Sequence, residues 1–258
     1  MTLTRIEVRR DGGIAYVWLN RPEKLNVLDT QMLAEFRTLF GDLQHDQSVR
    51  VVVISGKGRA FCAGRDLGEK NDLSVIEGLT NNLRGSWGAE LYNFPKPVIA
   101  AVNGICLGAG LDIALYADIR LASSTALLGY TEVDYGMVVG SGGIQILNRL
   151  VGAGEASYLV LTGARINAEK AREIGLVNRV CDPEQLLPEA EALANSLAEK
   201  PPWALMYSKQ ILRQGWELTR QSSMINDACI AALLRTTDDR LEGAKAFKEK
   251  RPPAFQGK

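Results

Sequence analysis

Apolar positions change their period several times along the chain, and each change marks an element. Ile14–Leu19 (IAYVWL) is a run of β-branched and aromatic residues, which predicts a strand. It stops at NRPEKLN, where Pro22 and Asn26 signal a turn. The period then becomes helical: Met32, Leu33, Phe36, Leu39, Phe40 and Leu43 recur at helical spacing. Asp29 precedes this run and is placed to cap it, because a short carboxylate accepts free N–H groups of a first turn. Residues 50–55 and 97–103 are nearly continuous apolar runs of the buried-strand type. Residues 118–122 and 176–180 read as two further strands. Residues 69–93 are polar and mixed, and predict a loop with one or two loosely defined helices. Short helices are expected over 142–150, 154–161 and 168–174. From Pro183 the pattern is helical almost to the end, with helices over 203–216, 219–235 and 238–249. Pro201-Pro202 interrupts that stretch and sets a boundary there.

Two of the strands lead into similar glycine loops. VVVISGKGRAFCAG and PVIAAVNGICLGAG share a β-branched run, a turn glycine, a cysteine and a second glycine. Strands alternating with helices predict an α/β fold with parallel pairing. A repeated strand–turn unit points further, to a coil of similar units.

Composition narrows the function. A chain of 258 residues suits one domain, large enough to need no disulfide or metal to fold. Lys+Arg and Asp+Glu balance at 30 each, so charge gives no case for nucleic acid or an anionic membrane as partner. The four cysteines, Cys62, Cys106, Cys181 and Cys229, form no C-x-x-C pair and have no metal-ligand spacing to the single histidine. Scattered thiols fit a reducing compartment. The N-terminus lacks the apolar run of a signal peptide, and the longest apolar stretches are too short to span a bilayer. A cytoplasmic protein is the expectation. His45 sits in LQHDQ at the polar end of a helix and reads as a surface residue, so proton chemistry falls to carboxylates, lysine, tyrosine or water.

The loops carry the candidate chemistry. GAGLDI, residues 108–113, follows a strand and opens a helix, as a dinucleotide fingerprint does. Ile113 replaces its last small residue, and Asp112 would set a negative charge beside a pyrophosphate. No Walker lysine pattern occurs. The two loops AFCAGRD and LGAGLD can instead each aim a backbone N–H at one point, the arrangement of an oxyanion hole. The alternative is that their glycines only make tight turns at positive φ.

Taken together, these segments resemble the crotonase superfamily, the enoyl-CoA hydratase/isomerase family. LNRPEKLNVLD resembles its CoA-contacting loop, AFCAGRDL its first oxyanion segment, and KPVIAAVNGICLGAGLDIALYADIRLAS its second. YTEVDYGMVVGSGG resembles the segment with a catalytic glutamate; LTGARINAEKAREIGLVNRV and AFKEKRPPAF match later blocks. The resemblance implies a crotonase-like spiral of ββα units. Residues 1–200 would form the acyl-CoA-binding core and 201–258 a helical trimerisation region, with trimers or dimers of trimers. It implies acyl-CoA thioester substrates and no metal or redox cofactor, coenzyme A being part of the substrate.

Carried over position by position, the resemblance makes Arg65 and Ala109 the oxyanion N–H donors and Glu132 and Asp112 the catalytic carboxylates. Lys24, Leu25, Ala63, Asp66 and Leu67 match CoA- or substrate-binding positions. Phe247 and Lys250 match a C-terminal pair that in some members reaches the CoA of a neighbouring subunit. Trp87, Tyr92 and residues 137–139 are candidates for the acyl pocket. The implied reaction is hydration of an enoyl-CoA double bond. Asp112 stands where such hydratases usually have glutamate and resembles the dienoyl-CoA isomerase branch. Gly140 lacks the aspartate that this branch and the dehalogenase branch carry. The rivals are a double-bond isomerase and a non-catalytic binding protein of the same fold.

Overall fold

The structure, a computed structural model, describes residues 3–69, 74, 76–78 and 88–258. Much of the mixed stretch before residue 93, Trp87 included, lies outside them. The larger sheet has six strands: β1 (Ile6–Asp11), β2 (Ile14–Leu19), β3 (Val51–Gly56), β5 (Val98–Val102), β7 (Ile119–Ser123) and β10 (Arg179–Cys181), side by side in that order. β1 and β2 form an antiparallel hairpin, with Ile6 opposite Leu19, and every later pairing is parallel. The second sheet is built from three-residue strands in the order β4 (Ala60–Cys62), β6 (Ile105–Leu107), β8 (Leu127–Gly129) and β9 (Arg165–Asn167). The chain thus lays one long strand in the first sheet and one short strand in the second, again and again. This is the spiral that the repeated strand–turn unit predicted.

The helices with described bounds are α1 (Thr30–His45), α2 (Ala89–Tyr92), α3 (Ala109–Tyr116), α4 (Gly143–Thr162), α5 (Ala168–Glu173), α6 (Leu186–Ala198), α7 (Pro202–Gln214), α8 (Arg220–Leu234) and α9 (Asp238–Glu249). Asp29 caps α1 as expected, its carboxylate accepting the Met32 N–H at 2.7 Å. His45 is exposed at the end of that helix. The two helices expected over 142–150 and 154–161 are the two arms of α4, separated by non-helical backbone at Gly152, where φ is 81° and ψ 160°. Only the end of the expected strand over 176–180 is paired, while Leu176 and Val177 are buried apolar residues before it.

The large sheet is covered on both faces, so its strands read as apolar runs without alternation. Alternate residues nonetheless serve different cores. Ala15, Val17, Val52, Ile54, Ala100 and Val102 pack with Phe36, Phe40 and α3, while Tyr16, Val53, Ile99, Ala101 and Leu121 pack against Leu186, Ala190 and Ala194 of α6.

The hairpin edge is tied down by a buried carboxylate. Glu35 is fully buried and accepts the N–H groups of Thr4, Arg5 and Ile6, the Arg5 bond at 2.8 Å. Glu35→Leu leaves these donors without an acceptor and is expected to lower stability by about 2–4 kcal/mol in urea denaturation. An unchanged midpoint would show that water replaces the carboxylate at no cost.

Candidate active site

Both glycine loops lie at the ends of second-sheet strands. The first leaves β4 as Ala63-Gly64-Arg65-Asp66, with φ of 108° at Gly64, a conformation open to glycine. Leu28 and Arg65 form a single parallel bridge. Leu28 N–H donates to Gly64 O at 2.8 Å, and Asp66 N–H donates to Leu28 O at 3.0 Å. This pattern leaves the intervening Arg65 N–H without an acceptor among the described residues. Behind it, Arg21 is buried and holds Val27 O, Asp66 and Asp29. Asn26 is fully buried, accepts the Arg21 N–H, and donates to Lys57 O and Ala60 O. The predicted turn NRPEKLN is therefore a buttress for the first loop.

The second loop leaves β6 through Gly108, at φ 54°, and α3 begins at Ala109. Ala109 is the first residue of the helix, so its N–H has no intrahelical partner, and it has none elsewhere among the described residues. The loops touch: a Cβ on Gly64 would lie 3.3 Å from Leu107 O and 3.8 Å from Ala109 N. Two unengaged N–H groups thus come from adjoining loops, one of them at a helix start that favours negative charge.

Two carboxylates stand beside these loops. Glu132 lies on a short 3-10 turn, Glu132–Tyr135. Its Oε1 would be 2.7 Å from a Cβ on Gly108, so it sits directly over the second loop. Its Oε2 is buried and has no hydrogen-bond partner among the described residues. Burial raises its pKa, the nearby amides of Glu132 and Thr131 oppose this, and the charge of Asp112 adds to the rise. Asp112, in the first turn of α3, is only 1% exposed. Tyr130 Oη donates to its Oδ1 at 2.5 Å, and Ser141 Oγ donates to its Oδ2. Burial raises this pKa too, against the lowering effect of both hydroxyls.

The other predicted residues divide into two groups. Ala63, Asp66 and Leu67 belong to the first loop, Lys24 and Leu25 to its buttress; Lys24 pairs with Asp66 at 3.6 Å, and Leu67 is exposed. Phe247 and Lys250 are exposed at the end of α9. No hydrogen bond or ion pair joins them to the glycine loops among the described residues. Of the acyl-pocket candidates, Met137 and Val138 are exposed just after Glu132. Tyr92 packs against the Tyr116 ring and under the Arg213 guanidinium, at the other end of α3. Sequence reasoning missed Tyr130, Ser141 and Arg21. Tyr130 lies two residues before Glu132 in the quoted motif, but nothing in one sequence says that it faces Asp112.

The sequence profile described as enoyl-CoA hydratase/isomerase matches residues 9–258. The chain belongs to this family. It is 37% identical to a short-chain-enoyl-CoA hydratase of Clostridium acetobutylicum over 253 residues, 97% of each chain. It is 38% identical to a 2,3-dehydroadipyl-CoA hydratase of Escherichia coli, over 99% of this chain and all of the other. The crystal structure of an enoyl-CoA hydratase from Bacillus anthracis matches with a TM-score of 0.94 at 34% identity, over 99% of this chain and 100% of that one. The crotonase-like α/β fold expected from the sequence is therefore the fold of its relatives.

Proposed function

We propose that the protein is an enoyl-CoA hydratase, adding water across the 2,3 double bond of an acyl-CoA thioester. The single observation that carries this reading is Glu132, a half-buried carboxylate with one unpartnered oxygen, set over two adjoining loops with unengaged N–H groups. The thioester oxygen would sit between Arg65 N–H and Ala109 N–H. Ionised Glu132 takes a proton from water as the water oxygen bonds to the β-carbon. The π electrons pass to the thioester oxygen, where both N–H groups stabilise the enolate. Collapse of the enolate takes a proton from Glu132 to the α-carbon, and the carboxylate is regenerated. The CoA belongs to the substrate, and we assign it to the loop residues Lys24, Leu25, Ala63, Asp66 and Leu67.

Because the ionised form of Glu132 starts the reaction, activity should fall as pH falls through its raised pKa. The acid limb of kcat/KM is expected above the usual carboxylate value of about 4.3. A limb at or below that value would contradict the account. The reading is tested by incubating the protein with crotonyl-CoA and a panel of longer, cyclic and dienoyl thioesters, followed by mass. Gain of one water supports the hydratase. Asp112 is bonded on both oxygens, so Glu132 is the free carboxylate over the loops among the described residues, and because one proton shuttle also suffices to move a double bond, an isomerase is the second reading. It predicts a shifted double bond with no gain of mass.

We also assign residues 201–258 to subunit association, as a trimer or a dimer of trimers. Leu212, Met224, Ile225, Leu233 and Leu241 are exposed apolar residues on these helices, and their exposure supports the assignment. In such an assembly Phe247 and Lys250 would serve a neighbour's CoA. The four free cysteines are compatible with the cytoplasm as compartment.

A further inference from the structure

Asp112 is enclosed where its neighbour Glu132 is not. Beyond its two hydroxyl partners, the backbone of Gly143 closes over it: a Cβ there would lie 1.8 Å from Asp112 Oδ1 and 2.2 Å from Tyr130 Oη. Both hydroxyls donate to it, the arrangement that suits an acceptor-only, ionised carboxylate. The same contacts tie three segments together. Asp112 and Tyr116 lie four residues apart on one face of α3. Asp112 holds the Ser141 hydroxyl, and Tyr116 Oη donates to the Ser141 carbonyl, so the turn before α4 is fastened twice. Tyr130, on the other side, leads through Thr131 to Glu132.

We infer that Asp112 is a positioning residue: with Tyr130 and Ser141 it locks the two segments that flank Glu132, and Glu132 alone exchanges protons with the substrate. The inference deepens the hydratase reading and rests on it for its kinetic test. Asp112 acts on Glu132 through its charge as well as through the frame. Among the described residues, the other titratable groups that face the pair are the Cys62 and Cys106 thiols, Tyr130 and Tyr116. Burial pushes Cys62 up to about 12 and raises Cys106 and Tyr130 well above their usual values. Among these described groups, Asp112 is the neighbour whose charge can change in the acid range.

Carboxyl-carbon NMR titration of wild type, Asp112→Asn and Tyr130→Phe follows both groups without substrate. Asp112→Asn is expected to move the Glu132 midpoint to lower pH, because a like charge is gone. Tyr130→Phe is expected to raise the Asp112 midpoint, because one donor to the ionised form is gone while burial remains. In parallel, Asp112→Asn, whose amide still bonds both hydroxyls, should keep at least about a tenth of kcat/KM with crotonyl-CoA and shift its acid limb downward. A loss of about 100-fold or more in a folded variant, the size expected for removing an acid–base group, would overturn the inference. So would a Glu132 midpoint that stays in place. If Asp112→Asn does not fold, an unmoved Asp112 midpoint in Tyr130→Phe overturns it instead. A wild type that hydrates nothing would sink the hydratase reading alone, and the titrations would still decide the role of Asp112.

Discussion

Glu132→Gln is expected to lower kcat/KM by about 100- to 10,000-fold while leaving the thioester bound and the fold more stable. The activity term follows from the proton path, since an amide neither takes a proton from water nor returns one to the α-carbon. The stability term follows from the site's own cost. A half-buried carboxylate with an unpartnered oxygen, next to a second acid, raises the free energy of the native state once it ionises. The sign agrees with linkage. A raised carboxylate pKa means that the folded chain holds its proton more tightly than the unfolded chain, so folding weakens as pH rises through that range. The neutral amide removes this term. A higher melting temperature at neutral pH, with activity lost, is the expected pair of results. Activity within a few-fold of wild type would remove Glu132 from the chemistry.

Gly108→Ala is the second large effect, with kcat/KM reduced about 100-fold or more and stability by about 1–3 kcal/mol. Gly108 has φ of 54° and ψ of −126°, a backbone region nearly closed to other residues. The new Cβ would also stand 2.7 Å from Glu132 Oε1 and 3.4 Å from its Cδ. Both displacements act on the reaction: the carboxylate is pushed from its seat, and the Ala109 N–H behind it is re-aimed. Gly12→Ala is the control. Gly12 shares a φ of 54°, has nothing within 4 Å of the added Cβ, and lies in the turn between β1 and β2. It should lose stability alone. Steady-state kinetics and thermal melts on both variants separate backbone strain from damage to the site, and full activity in Gly108→Ala would refute the proposed seat of Glu132.

The long elements of this fold were legible in the sequence because burial writes a period into it. Ile14–Leu19, α1 and the C-terminal helices lie within a few residues of where their patterns put them. The second sheet was not legible, since strands of three residues such as Ala60–Cys62 are shorter than any period and read as glycine loops. β1 was hidden for a different reason. Its outer positions are charged, as befits an edge, and its anchor is Glu35, distant in sequence. At the site, the glycine loops pointed to a pair of N–H donors because positive φ leaves a trace in composition, and the family resemblance assigned them to Arg65 and Ala109. The partners of Asp112 left none. Tyr130 and Ser141 are 18 and 29 residues away from it, and only the fold brings their hydroxyls to one carboxylate.

The most direct test is wild type against Glu132→Gln with crotonyl-CoA in water labelled with heavy oxygen, read by product mass alongside thioester binding. The account predicts one labelled water added by wild type, and no addition by a variant that still binds the thioester. Label-free product with a moved double bond, or equal addition by both proteins, would contradict it.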